Sequence, residues 1–259
     1  MTRRRLDAEL VRRGLARSRA EAKGMIDEGL VVVVDNPEPK PTSQVDGQVS
    51  IRIDRPLHPY VGRGGLKLEA ALDAFGVDVT GSRCVDVGAS TGGFTDCLLQ
   101  RGAASVVAVD VGYGQLDTRL RTDDRVVVRD RTNIRTVDAG DLGAPFEVVV
   151  ADLSFISLCT VADALADLGS DRTQWVLLVK PQFEVGKDAI SRGGIVRDPM
   201  AHLAALEDVV ACLSARGVGA VGVVRSPVVG AKSGNTEFLL HARRGPVAVT
   251  GEALGEVVT

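Results

Sequence analysis

Apolar positions follow two regimes along the chain. Near the start, Leu6, Leu10 and Leu15 recur at helical spacing, with a break at Gly14. Ser18 then stands as a helix N-cap with Glu21 three residues on, the spacing of a capping box. Ala22, Met25 and Ile26 continue that second helix, and Gly29 closes it. Val31–Val34 predicts a short strand, Asn36-Pro-Glu-Pro-Lys-Pro41 a turn region, and Val49-Ser-Ile-Arg-Ile53 alternates like a strand. Residues 1–55 therefore predict a small helix–helix–strand–strand domain, followed by a proline-bearing linker over 56–63.

From residue 64 the pattern changes. Cys84–Val87, Ser105–Val109, Val126–Val128, Val148–Ala151 and Val176–Val179 are short apolar runs with Gly, Asp or Pro at their ends. Such runs predict strands buried on both faces, hence a parallel sheet covered by helices. Helical patterns intervene at Gly92–Gln100, Gly114–Arg121, Ser157–Leu168 and His202–Ala215, and Val221–Val224 and Glu237–His241 predict two closing strands. This α/β domain is expected over 64–245, with 246–259 as a tail. Pro181–Pro199 has no clear periodicity, and a loop that long inside a compact domain is usually functional.

Composition narrows the classes. No apolar run exceeds five residues, against the roughly 20 that a membrane helix needs, and no apolar stretch follows Met-Thr-Arg-Arg-Arg, so neither a spanning helix nor a secretory signal is expected. Cys84, Cys97, Cys159 and Cys212 form no CxxC pair; zinc and disulfides are not expected, and the cysteines read as small buried hydrophobes of a reducing cytosol. The net charge of −3 hides a balance of +5 over residues 1–25 and −5 over residues 56–259. A basic end on an acidic body suits docking on an anionic partner, although a solvated helix face in an Arg-rich chain gives the same count.

The first long-domain strand ends in Asp86-Val-Gly88-Ala-Ser90-Thr91-Gly92-Gly93-Phe94 and runs into a helix. A glycine turn there lets backbone approach a ligand at the carboxyl edge of a parallel sheet. The spacing is D-x-G-x-x-x-G-G, not G-x-G-x-x-G. Asp86 would repel a pyrophosphate but accept a hydrogen bond from an ammonium, which S-adenosylmethionine has. Asp110 ends the second strand, where a carboxylate holds ribose hydroxyls, and Asp130 ends the third, where an adenine edge would lie.

Asp152 and Lys180 end the fourth and fifth strands beside the same cleft. Each alone reads as a solvated strand end. Together they suit a reaction in which a weakly acidic hydroxyl is deprotonated. Lysine, ordinarily near pKa 10.4, becomes a usable base when burial or neighbouring cations lower it. No cysteine ends these strands, as cytosine-C5 transfer would need. The run Asp-Leu-Ser-Phe also differs from the Asn/Asp-Pro-Pro-aromatic run usual in adenine-N6 transfer. A hydroxyl acceptor fits better.

With these strings in view, the chain resembles the TlyA (haemolysin-A-like) family of ribosomal RNA 2′-O-ribose methyltransferases. Arg5-Leu-Asp-Ala-Glu-Leu-Val-Arg-Arg-Gly-Leu-Ala-Arg-Ser-Arg19 and Ile26-Asp-Glu-Gly29 resemble the RNA-binding domain named after ribosomal protein S-four. Arg63-Gly-Gly-Leu-Lys67-Leu, Asp86–Phe94, Asp110–Leu116, Arg131-Thr-Asn-Ile-Arg135, Asp152–Ser157, Lys180–Gly186 and Gly234-Asn-Thr-Glu237 resemble the FtsJ-like catalytic domain. The resemblance implies a Rossmann-like, seven-stranded, mostly parallel sheet with its last strand antiparallel. It places a Lys-Asp-Lys-Glu tetrad on Lys67, Asp152, Lys180 and Glu237, with Lys180 as base. It also implies S-adenosylmethionine held by Asp86, Gly88, Ser90, Thr91, Gly92, Gly93, Phe94, Asp110 and Asp130, with Asn133 at the rim. The implied substrate is cytidine in the rRNA of 30S or 50S subunits. Arg4, Arg5, Arg12, Arg13, Arg17, Ser18, Arg19 and Lys23, with Arg3, would dock on it. Some members join the domains through Arg-x-Trp-Val; the corresponding stretch here is His58-Pro-Tyr-Val61. A cytoplasmic monomer without metal is expected. The competing readings are an RNA-binding protein with an inactive methyltransferase fold and a haemolysin-like membrane-active protein.

Overall fold

The computed structural model describes every residue except 1–2, 17, 28, 35, 55–57, 192 and 231–233, and leaves aside the side chains of 20 and 187. The chain divides into two compact units, Met1–Gly62 and Arg63–Thr259.

The first unit holds strand β1 (Arg3–Arg5), helices α1 (Leu6–Arg12) and α2 (Arg19–Asp27), and strands β2 (Val31–Val33), β3 (Gln44–Asp46) and β4 (Ile51–Ile53). β1 pairs with β3 and β2 with β4, both antiparallel. Leu6, Leu10, Ala22, Ile26, Val31, Val33 and Val45 close one core. The capping signal is realised: Ser18 Oγ accepts from Glu21 N at 3.1 Å. Gly29 takes φ +75°, a left-handed conformation that ends the helix. β1 has no counterpart in the apolar pattern, because Arg3, Arg4 and Arg5 are all exposed.

The second unit is a three-layer α/β structure. Its seven strands are β5 (Arg83–Val87), β6 (Ser105–Val109), β7 (Val126–Arg129), β8 (Phe146–Ala151), β9 (Gly169–Val179), β10 (Val218–Arg225) and β11 (Phe238–Arg244). They lie in the order β10-β11-β9-β8-β5-β6-β7. β7, β6, β5, β8 and β9 are parallel, and the last strand, β11, runs antiparallel to both neighbours. Val85, Val87, Val149, Trp175, Leu177 and Leu240 are at most 1% exposed, as strands covered on both faces require.

The helices are α3 (Gly64–Phe75), α4 (Gly93–Gln100), α5 (Thr118–Arg121), α6 (Leu158–Asp167), α7 (Pro181–Glu184), α8 (Pro199–Ser214) and α9 (Gly251–Val258). Three expectations are corrected. The helix foreseen from Gly114 begins only at Thr118, because Gly114 takes φ +66° and Asp117 caps the turn through Arg119 N. Residues 246–259 are not a tail: they carry α9, whose Leu254 and Val258 are buried in the main core. Finally, Cys159 on α6 and Cys212 on α8 form a disulfide, their Cα atoms 5.4 Å apart across 53 residues of sequence. Adjacent packing of α6 and α8 brings them together, and no local spacing foretells that. Cys84 and Cys97 are buried and not disulfide-bonded, as expected.

Candidate active site

The parallel strands end at one edge of the sheet, and their loops carry the candidate residues. Asp86 and Val87 lead from β5 into Gly88, which takes φ +90°. A Cβ at Gly88 would stand 2.6 Å from the Asp152 carbonyl oxygen, so only glycine lets the two loops touch. Gly88 N donates to Val109 O at 2.8 Å, and Gly92, at φ +101°, caps α4. Gly92, Gly93 and Phe94 are buried, with Phe94 packing toward Gly64; Ser90 is exposed and Thr91 half-buried.

Asp86 is fully buried. Its Oδ2 accepts from Thr95 Oγ1 at 2.7 Å, whereas its Oδ1 has no partner among the described residues. Burial pushes its carboxyl up to about 7, against the donation from Thr95. An orphaned buried oxygen beside a glycine turn suits a ligand cation.

Asp110 fixes the turn. Oδ2 accepts from Ser90 N at 2.8 Å and Oδ1 from Gly112 N at 2.6 Å. Asp130 is engaged by Arg121 Nη2 at 2.8 Å and Gly114 N at 3.2 Å, and the Arg121 bond lowers its pKa. Asn133 is exposed and caps its own turn through Arg135 N at 3.0 Å. The guanidinium of Arg131 lies 4.3 Å from the ring centre of Tyr113.

The four candidate catalytic residues form two ion pairs. Lys180 Nζ contacts Asp152 Oδ1 and donates to Ser154 Oγ at 2.9 Å. Lys67 Nζ donates to Glu237 Oε2 at 2.5 Å. Both lysines are 8% exposed and Glu237 is 3% exposed. Register joins the pairs: Phe238 lies opposite Val179, so Glu237 and Lys180 are the next residues on adjacent strands. At Gly64, one turn before Lys67, a Cβ would lie 3.9 Å from Asp152 Oδ2. The four side chains therefore belong to one edge of the sheet, although Lys67 and Glu237 are 170 residues apart.

Phe155 was not foreseen. It is 87% exposed, takes φ +65° in the loop after Asp152, and stands 5.3 Å from the Phe183 ring. A bulky residue in that conformation marks backbone strain at a functional loop. Its sequence signal is only a Phe in a chain with 3% aromatics.

In the first unit, the basic face is partly tied internally. Arg5 and Arg19 pair with Asp7, and Arg12 and Arg13 pair with Glu9. Arg5 and Arg12, foremost among these partners, hold the Asp7 and Glu9 carboxyls down to about 2. Arg13 also donates to Val49 O at 2.7 Å and Gly47 O at 3.0 Å, a structural task. Arg3, Arg4 and Lys23 remain exposed, the last 3.9 Å from Asp27. Arg17 lies outside the described residues.

Among the described residues no helix is long and apolar enough to cross a membrane. Comparison with known proteins agrees with this geometry. The FtsJ-like methyltransferase family matches residues 60–244, and the S4 domain matches residues 4–33. The 16S/23S rRNA (cytidine-2′-O)-methyltransferase TlyA of Mycobacterium tuberculosis is 49% identical over 240 residues, 92% of this chain and 89% of the relative. Hemolysin A of Brachyspira hyodysenteriae is 37% identical over 238 residues, 92% of this chain and 98% of that one. A solved structure described as a hemolysin from Streptococcus thermophilus superposes with a TM-score of 0.78 at 40% identity, covering 100% of this chain and 95% of that one. With its S4 domain followed by an FtsJ-like methyltransferase domain, the chain belongs to the TlyA family.

Proposed function

We propose that this protein transfers a methyl group from S-adenosylmethionine to the ribose 2′-hydroxyl of cytidine in ribosomal RNA, within assembled subunits. One observation carries the reading: two ion pairs, the partly buried Lys180–Asp152 and the buried Lys67–Glu237, sit in adjacent register at the strand edge that bears the glycine turn. The family supports it, since the Mycobacterium tuberculosis relative is a cytidine-2′-O-methyltransferase of 16S and 23S rRNA.

The residues present fit the cofactor. Asp86 Oδ1, without a partner among the described residues, is the acceptor for its ammonium, Asp110 the carboxylate for its ribose, and the backbone from Gly88 to Gly93 the close wall. When bound, the cofactor supplies an electrophilic sulfonium methyl. Once its resting proton has passed to solvent, Lys180 Nζ takes the proton of the 2′-hydroxyl as that oxygen bonds the methyl and the sulfur–methyl bond breaks, and Asp152 holds the ammonium that results. Glu237, neutralised by Lys67, orients the ribose. Phe155, next in the chain to the Ser154 that Lys180 contacts, presents an open ring suited to stacking on an unpaired base. The site is in the cytoplasm, where ribosomal subunits are, and the exposed arginines of β1 and α2 face rRNA phosphates.

The test is Lys180→Ala, measured for methyl transfer to unmethylated subunits and for cofactor affinity. Transfer should fall by about 10²–10⁴-fold with affinity nearly unchanged. Activity within about tenfold of the parent would remove Lys180 from the role of base, given what proton transfer ordinarily contributes.

A further inference from the structure

Asp152 and Lys180 stand on loops that leave neighbouring strands, and a second carboxylate ties those loops together. Glu184 ends α7, four residues after Lys180. Its Oε2 accepts from Ser157 Oγ at 2.6 Å and its Oε1 from Leu158 N at 2.9 Å. Ser157 is the N-cap of α6, donating to Glu184 while accepting from Cys159 N at 3.0 Å. One carboxylate thus closes the 152–157 loop onto the 180–184 loop, satisfying a helix N-terminal N–H that has no intrahelical partner. The Phe155–Phe183 ring contact crosses between the same two segments. Between these ties lies Phe155 at φ +65°, a conformation that persists only where its surroundings over-determine it.

We infer that Glu184 is a positioning residue for methyl transfer: it fixes the separation of Asp152 and Lys180 by clamping the loop after β8 to the loop after β9. Its hydrogen bonds go to Ser157 and Leu158, not to the cofactor turn between β5 and α4. Its removal therefore acts on the chemical step and not on binding. Displacement of reacting groups by about 1 Å costs up to about 10²-fold in rate. The inference rests on the assignment of Lys180 and Asp152 as the proton-handling pair.

The experiment compares the whole protein with Glu184→Ala, Glu184→Gln, Ser157→Ala and Lys180→Ala. Readouts are kcat and KM on unmethylated subunits and cofactor affinity by calorimetry. Glu184→Ala should lower kcat by about 10- to 100-fold with KM and cofactor affinity unchanged, the scale of a misplaced group. Glu184→Gln keeps an acceptor for Leu158 N and should recover most of kcat, which a general loss of packing would not allow. Ser157→Ala removes one of the two contacts and should give an intermediate kcat; it stands in if Glu184→Ala does not fold. Parent-like kcat in Glu184→Ala, or in Ser157→Ala when that stands in, overturns the inference. So does a kcat loss matched by an equal loss of cofactor binding. Lys180→Ala separates the two ideas. If it remains active, the proton-handling assignment has failed. If it is inactive while Glu184→Ala is parent-like, only the clamp has failed.

Discussion

A charge in a site declares its purpose by the partners it has, and Asp86, Asp152 and Glu237 are arranged differently here. Asp152 and Glu237 each face a lysine. Asp86 accepts from the hydroxyl and backbone of Thr95 and, among the described residues, has one oxygen without a partner. Removing one side of a buried ion pair typically costs about 3–5 kcal/mol, since the other charge is left unpaired. Asp86 behaves oppositely, because its charge is already uncompensated. Its folded pKa of about 7 lies above that of an unfolded aspartate, so the folded state holds the proton more tightly. Stability from this group is present at low pH and declines as pH rises through that value. Asp86→Asn should therefore gain in unfolding temperature relative to the parent, and gain more at pH 8 than at pH 5, in cofactor-free protein. Equal differences at both pH values would mean that Asp86 is not held as a buried acid.

Elements show where the sequence was readable. The buried strands β5, β6 and β8 are continuous Val-rich runs ending in Asp or Gly, so their positions and the carboxylates at their ends follow from pattern alone. Asp152 and Lys180 stood out for that reason. Lys67 and Glu237 did not: each reads as an ordinary solvated charge in its own segment, and its burial depends on a contact spanning 170 residues. β1 was silent because three exposed arginines carry no alternation, and α9 because a short segment with two glycines reads as a tail. Glu184 was quoted only as part of a string; its task appears once α6 and α7 are seen to meet. The glycine turn is the most exacting element. Gly88→Ala would force a Cβ to 2.6 Å from the Asp152 carbonyl at φ +90°. Cofactor affinity and transfer should both fall by more than about tenfold, or about 1.4 kcal/mol, while the fold persists. Titration calorimetry checks this, and parent-like affinity would show that the loops can part without consequence.

The whole molecule is polarised in charge. Residues 1–25 carry a balance of +5, and the body over 56–259 one of −5. Part of that basic charge is neutralised by Asp7 and Glu9, so the surface offered to phosphate is smaller than composition suggests. Arg4 is exposed, and Arg5 and Arg19 keep side-chain exposures of 43% and 59% despite their shared partner Asp7. Each phosphate contact contributes roughly 0.9 to the logarithmic salt slope of binding to a duplex. Replacing Arg4, Arg5 and Arg19 together should weaken subunit binding and flatten that slope, measured by filter binding across salt concentrations. An unchanged slope would place the docking surface elsewhere.

The most direct measurement uses labelled S-adenosylmethionine with unmethylated 30S and 50S subunits, followed by nuclease digestion and mass spectrometry of the nucleosides. A strand-edge lysine–aspartate pair acting on a hydroxyl should give label in 2′-O-methylcytidine, and the labelled subunit identifies the substrate. Label on a base atom, or none on either subunit while the cofactor binds tightly, would contradict the reading of this site as a cytidine 2′-O-methyltransferase.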